Sequence, residues 1–358
     1  MFGDAADAMG GMGSQEDSLV QIGVLVPLSP PGWAEAGRQL LGGLELGVRE
    51  VNAAGGIELQ LLVRDTAADP RKAEAAVSEL AQLGVAAVVG EYHSVAARAA
   101  AARADALGLP FLCSSAVLDA LTEEPTDLVA RIAPAQSHSW RIYADFLLAA
   151  GHHRIAVAAQ TSVYWAAGTS ILRDHLAARG GTVIELNDLT PAALCDELAD
   201  SRATALLLLT GTPEPAVAIV RSVRRDARLA EVLIGAPAGQ PELPAWAALL
   251  GQDGAGIPFL RYLPEVFSPL GARVDAALRE TMSAEPSFVA FEGYDTITAL
   301  AEYLRVGSWA AVSVEGTRGQ IRFTRTPGVG VWQWAWPPAQ VADRDPAAPD
   351  RFRVLHTA

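Results

Sequence analysis

The chain has 358 residues, 51% of them hydrophobic, and a formal net charge of -14. That length suits two average domains or one large one. The acidic balance argues against a nucleic-acid partner, because little is available to replace phosphate counterions, and against docking on anionic lipid. No run of about 18 apolar residues occurs, so no membrane-spanning helix is expected.

The first 19 residues are rich in Gly, Ala, Asp and Met and read as a flexible leader. They lack the basic and apolar regions of a signal peptide. From Val20 the pattern changes. VQIGVLVPL is a continuous apolar, β-branched run ended by SPPG, the mark of a buried strand. Leu40, Leu44, Val48 and Val51 then recur at helical spacing, and Gly55–Gly56 ends that helix. ELQLLVR is the next strand. Asp69 and Pro70 supply an N-cap and a first-turn proline for a helix to Leu83. AAVVG, a helix Val95–Leu107 and LPFLC continue the alternation.

After Pro134 the rhythm restarts. Helices are expected over 136–150, 166–179, 190–199 and 213–225, with strands HRIAVAA, GTVIEL, TALLLL and EVLIG between and after them. Two further helices, 270–282 and 287–306, precede the strands GQIRF and GVWQWAW. The tail VADRDPAAPDRFRV is polar and proline-rich and is expected at the surface. Alternating strands and helices imply parallel sheets covered on both faces. The fold class is therefore α/β: two doubly wound lobes of about five strands each. Such folds bind ligands at the carboxyl ends of their strands, here in a cleft between the lobes.

The ordered segments resemble the type I periplasmic-binding-protein family, in its branched-chain amino-acid and amide receptor branch. IGVLVPLSPPGWAEAGRQLLGGLELGVREVNAAGGI is similar to that family's opening strand, ligand loop and first helix. RDTAADPRKAEAAVSEL, AVVGEYHSVAARAAAARADALGLPFLCSSA and YWAAGTSILRDHLAARGGTVI match later strand–helix units. PSFVAFEGYDTITALAEYL and GQIRFTRTPGVGVWQW match its late helix and closing hairpin. The resemblance implies three hinge crossovers, near 133–134, 261–263 and 327–330. One lobe then holds 20–133 plus 263–327 and the other 134–262 plus 328–358. It also implies a hinge-closing solute receptor, extracytoplasmic and partnered by an ABC-transporter permease, for a small carboxylate ligand. A cytoplasmic ligand sensor of the amide-sensor type is the alternative.

Ser94 opens a helix after a strand, where free N–H groups and the helix dipole favour an anion. The residues alone fit an ordinary N-cap equally well, worth about 1 kcal/mol. The resemblance assigns Ser94 to a ligand carboxylate, with Tyr92 and His93 on the same turn. It brings the turn Ser114, Ser115, Ala116 and Val117 to the ligand, with Val117 standing where the family has a threonine. Tyr164 matches an aromatic cover and Thr212 another contact. Trp165 stands where glycine is usual, and Pro237 where amino-acid binders carry a glutamate for the ligand ammonium. Glu292, from the late helix, or Glu214 could supply that missing carboxylate. With Trp33 in the first ligand loop, Trp33, Tyr92, Tyr164 and Trp165 suggest an aromatic-walled cleft. These departures favour an organic or aromatic acid over an α-amino acid.

No Gly-x-Gly-x-x-Gly, P-loop or Gly-x-Ser-x-Gly pattern occurs, so neither an enzyme nor a cofactor is expected. An α/β hydrolase-like enzyme is the remaining reading of another class, since fold alone excludes little. Cys113 and Cys195 fall in different lobes, which argues against a disulfide, and two cysteines do not make a zinc site.

Overall fold

The structure, a computed structural model, describes residues 19–211, 213–335, 339–349 and 351–357. The first lobe begins with β1 (Leu19–Val26), α1 (Ala34–Ala54), β2 (Glu58–Asp65), α2 (Pro70–Gln82), β3 (Ala87–Gly90), α3 (Ser94–Ala106), β4 (Phe111–Cys113) and β5 (Val129–Arg131). The second comprises α4 (Gln136–Ala149), β6 (Arg154–Ala159), α5 (Val163–Ala177), β7 (Thr182–Glu185), α6 (Pro191–Ser201), β8 (Ala205–Leu209), α7 (Pro213–Arg225), β9 (Leu233–Gly235), α8 (Pro244–Leu250) and β10 (Phe259–Arg261). The chain then returns through α9 (Pro269–Thr281), α10 (Phe288–Val306), β11 (Ser313–Gly316), β12 (Gly319–Arg325) and β13 (Trp332–Trp334). It ends in β14 (Gln340–Arg344) and β15 (Phe352–Thr357).

The apolar runs are continuous because both faces of the first sheet are covered. Ile22, Val24 and Val26 join the core beneath α1 and α10, while Leu25 between them joins the core beneath α2 and α3. Val88 and Val89, and Phe111 and Leu112, divide the same way. The sheet has eight strands rather than five, in the order β11-β12-β13-β5-β4-β3-β1-β2. Its three extra strands come from the returning chain, and β12 runs antiparallel to both neighbours. The short period-2 pattern of GQIRF announced a strand but not which sheet it would join.

The second sheet, β7-β6-β8-β9, is wholly parallel. A bridge from Ala236 to Phe259 connects it to the antiparallel sheet β10-β14-β15. The tail is therefore not surface coil. Val341, Ala342 and Asp343 are buried, and its polar residues pair internally, as Arg353 does with Asp343 at 2.6 Å.

The third crossover also differs from expectation. Residues 328–334 remain in the first lobe, because Trp332 and Gln333 pair with Ala130 and Arg131 in β5. Gln333 ties two connections together, accepting from Arg131 Nε at 2.8 Å and donating to the Ala133 carbonyl at 2.7 Å. The lobe change at that point falls between β13 and β14. Among the described residues no helix is long and apolar enough to cross a membrane.

The returning helix α10 lies directly against α1, with glycine on both sides. A Cβ on Gly43 would lie 1.9 Å from the Ala290 carbonyl oxygen, and one on Gly293 2.4 Å from that of Leu40. Backbone cannot retreat as a flexible side chain can, so the helices would have to separate. Gly43→Ala is predicted to destabilise the protein by about 1–3 kcal/mol, the cost of overpacking. An unchanged denaturant midpoint would show that the helices part freely.

Candidate functional site

A cleft of about 270 Å³ opens at the carboxyl ends of strands from both lobes. The turns after β3 and β4 contribute from one side. The turns after β6, β8 and β9 contribute from the other. That volume is at the low end for small-molecule sites. Of the residues singled out from sequence, Tyr92, His93, Ser94, Ser115, Val117, Tyr164 and Trp165 line it.

Among the described residues that line it, none is Asp, Glu, Lys or Arg. The one titratable base, His93, is held neutral, because burial lowers its pKa to about 4. Its Nε2 accepts the Trp33 N–H at 3.1 Å, which leaves the ring proton on Nδ1. Polarity in the cleft is therefore dipolar. The helices α3 and α5 begin there from opposite lobes. His93, not Ser94, is the N-cap of α3, and Ser94 is its first helical residue. The N–H groups of Tyr92 and His93 are spent on the Glu91 carboxylate, at 2.8 and 2.9 Å. Those of Ser94 and Val95 make no hydrogen bond among the described residues. They are the orphan donors that a helix start offers to an anion. The Ser94 hydroxyl accepts a long bond, 3.4 Å, from Leu118 N–H. On the facing lobe Ser162 caps α5 by accepting from Trp165 N–H at 3.1 Å.

The walls are aromatic. Tyr164 and Trp165 lie 4.5 Å apart at 58°, and Trp165 rests against Trp140 at 6.1 Å. Tyr262 and Phe288 form a second pair, 5.1 Å apart. Burial raises the pKa of Tyr92, Tyr164 and Tyr262, so all three remain neutral phenols.

Other expected residues sit elsewhere. Trp33 meets Tyr92 edge-on at 6.2 Å but borders a separate groove along α1. The Ser114 hydroxyl turns inward and accepts from Thr296 at 3.0 Å. Ala116 is buried, and the N–H groups of Ser115 and Ala116 both donate to the Glu91 carbonyl at 3.2 Å. That turn therefore has no amide to offer from those two residues. Pro237 is buried away from the cleft, while Ala238 and Gly239 line it. Glu292 lies beneath the floor, paired with Arg318 at 3.1 Å. Thr212 lies outside the described residues.

Several lining residues were missed. Gln160, Thr161 and Ser162 follow a strand and open a helix, the same arrangement that singled out Ser94, so that signal was present. Tyr262 was read only as a hinge position and Phe288 only as a helix start. Their meeting depends on the return of the chain to the first lobe.

The family model described as periplasmic binding protein matches residues 19–317, and the chain belongs to that family. A Leu/Ile/Val-binding protein homolog 8 from Brucella abortus (strain 2308) is 35% identical over 132 residues, which is 36% of this chain and 32% of that protein. The match thus spans about a third of the relative. Among solved structures, the leucine binding protein LivK from Thermotoga maritima MSB8 superimposes with a TM-score of 0.80 at 19% identity, over 94% of this chain and 97% of that one. An ABC-transporter solute binding protein from R. palustris in complex with benzoate gives 0.79 at 18%, over 95% and 96%.

The neutral state of His93 has a consequence for acid stability. Its folded pKa of about 4 lies below the unfolded value near 6.5, so the unfolded chain binds the extra proton. The contribution is complete above pH 6.5 or so and is lost as pH falls toward 4. His93→Gln keeps an acceptor for Trp33 N–H but cannot titrate. Denaturant unfolding between those pH values should show a smaller acid-induced loss in the variant, by on the order of 2–3 kcal/mol. Parallel pH profiles would mean that His93 reaches water.

Proposed function

We propose that this chain is the solute receptor of an ABC transporter, acting outside the cytoplasm with a membrane permease as partner. We further propose that its ligand is a small organic or aromatic carboxylate without an α-ammonium. The solved relatives include a leucine binding protein and a benzoate complex, so relatives support either class of solute. The observation that carries the choice is the asymmetry of the cleft's polarity.

A carboxylate entering the cleft finds the unengaged N–H groups at the start of α3. An ammonium finds no carboxylate among the described residues that line the cleft. Glu292 already has a guanidinium partner and lies below the floor. A desolvated, unpaired ammonium costs several kcal/mol, more than an apolar contact returns. Aromatic side chains from both sides suit a planar ring or a branched apolar body. Ligand-stabilised closing of the two lobes would seal these walls over the solute.

A thermal-shift panel tests the ligand class. It should contain leucine, phenylalanine, the 2-keto acids of both, and substituted benzoates. The keto acids or benzoates are expected to raise the melting temperature, and the amino acids to leave it unchanged. Stabilisation by leucine or phenylalanine, without a shift from their keto acids or the benzoates, would overturn the assignment.

A further inference from the structure

The first crossover between the lobes runs from β5 through residues 132–135 into α4. A helix start leaves N–H groups that need acceptors. The N-cap of α4 is Ala135, whose side chain supplies none. The acceptors come instead from the other lobe. Gln136 N–H donates to the Val117 carbonyl at 2.7 Å. Ser137 N–H donates to Asp119 Oδ1 at 3.0 Å. Both acceptors sit on the turn that follows β4 in the first lobe. A carboxylate at that point also suits the positive end of the α4 dipole.

That turn is braced, and it borders the cleft. Val117 lines the cleft. Leu118 N–H reaches Ser94 Oγ, at the start of α3. The Leu118 carbonyl accepts from Arg131 Nη1 at 2.6 Å, and Arg131 Nε donates to Gln333 Oε1 at 2.8 Å. Arg131 is fully buried, so water does not compete for these bonds. Gln333 donates in turn to the Ala133 carbonyl, inside the crossover, at 2.7 Å.

On its other side α4 carries the second-lobe wall of the cleft. Gln136 Nε2 donates to the Tyr164 carbonyl at 3.0 Å. Trp140, one turn further on, meets Tyr164 edge-on at 6.0 Å and Trp165 at 6.1 Å. Trp140 has no room to yield, because a Cβ on Gly168 of α5 would lie 2.2 Å from its ring. The placing of the first turn of α4 therefore carries through to Tyr164 and Trp165.

We propose that Asp119 is a positioning residue for ligand binding. By capping α4 across the crossover it fixes the pivot of the hinge, and so sets where the second-lobe aromatic wall stands relative to the start of α3. Asp119 is not among the described residues that line the cleft, so it acts through α4. This rests on reading the chain as a two-lobed receptor and not on the class of its ligand. Two bonds from consecutive amides to one braced turn define an orientation. Without Asp119 the start of α4 keeps only the Gln136–Val117 bond to that turn, and a single bond leaves it free to twist. The lobes then sample more arrangements, and apparent affinity falls with the fraction that is competent to bind.

Spin labels on the full chain, at the exposed positions Leu83→Cys in the first lobe and Leu249→Cys in the second, report the distance between lobes. The native Cys113 and Cys195 are buried. Asp119→Ala is expected to broaden the distance distribution. It should also weaken binding about tenfold for whichever of benzoate, the 2-keto acid of leucine and leucine the wild type binds. Asp119→Asn, which keeps the Oδ1 acceptor, should restore most of both. Asp69→Ala is the control, because Asp69 caps α2 within one lobe, accepting from Arg71 and Lys72 N–H at 2.7 and 3.3 Å. Its loss should lower the melting temperature and leave distance and affinity alone. If Asp119→Ala behaves like that control, with distance or affinity unchanged, Asp119 is an ordinary cap and the proposal is overturned. Should Asp119→Ala not fold, Asp119→Ser, with its shorter side chain, replaces it under the same outcomes. Failure of all three probes counts against the ligand reading, and an unbroadened ligand-free distance in Asp119→Ala would still overturn this proposal.

Discussion

A charge carried from water into a closed cleft must be met by an opposite charge or by dipoles already in place, and the rest of this site follows from how that demand is handled. The cleft contains no charged side chain among the described residues that line it. Its polarity comes from the backbone at helix starts and from neutral phenols, hydroxyls and one neutral imidazole. Such a surface is asymmetric. Free N–H groups at a helix N-terminus serve an anion well and a cation poorly. Charged groups near the site lie one layer back. Glu91 holds the amides of Tyr92 and His93. Glu292 and Asp295 share Arg318.

The supporting fold makes this arrangement rigid within each lobe. Both faces of the first sheet are covered by helices, and α1 meets α10 with almost no space between backbones. The late chain segment matters more than its position suggests. It supplies α10, with Phe288 at the cleft and Glu292 below it, and it supplies β12 and β13 to the first sheet. Gln333 then fastens β13 to the start of the connection into the second lobe.

Much of the fold was legible in the sequence, for a specific reason. Continuous apolar runs such as VQIGVLVPL, alternating with helical patterns, have few solutions other than covered parallel sheets. What could not be read was sheet membership after the chain turned back. Trp332–Trp334 carries a strand pattern, but only its pairing with β5 places it in the first lobe. The tail was misjudged because its charges satisfy one another, as in the Arg353–Asp343 pair, so polarity did not mean exposure. In the site, residues on strand-to-helix turns and in the first turn of the helices that follow were the legible ones: Tyr92, His93, Ser94, Tyr164 and Trp165. Ser114 and Ser115 show the limit. Neighbouring residues on one turn face opposite ways, one toward Thr296 and one toward the cleft, and composition does not distinguish them. Tyr262 and Phe288 are far apart in the chain and meet only through the topology.

The most direct test of this account is a crystal structure of the protein grown with benzoate. The account predicts the carboxylate on the N–H groups of Ser94 and Val95. The ring should lie between the Tyr164–Trp165 and Tyr262–Phe288 pairs, with no charged side chain in contact. A benzoate whose carboxylate points away from the start of α3, or pairs with an arginine drawn into the cleft, would contradict it.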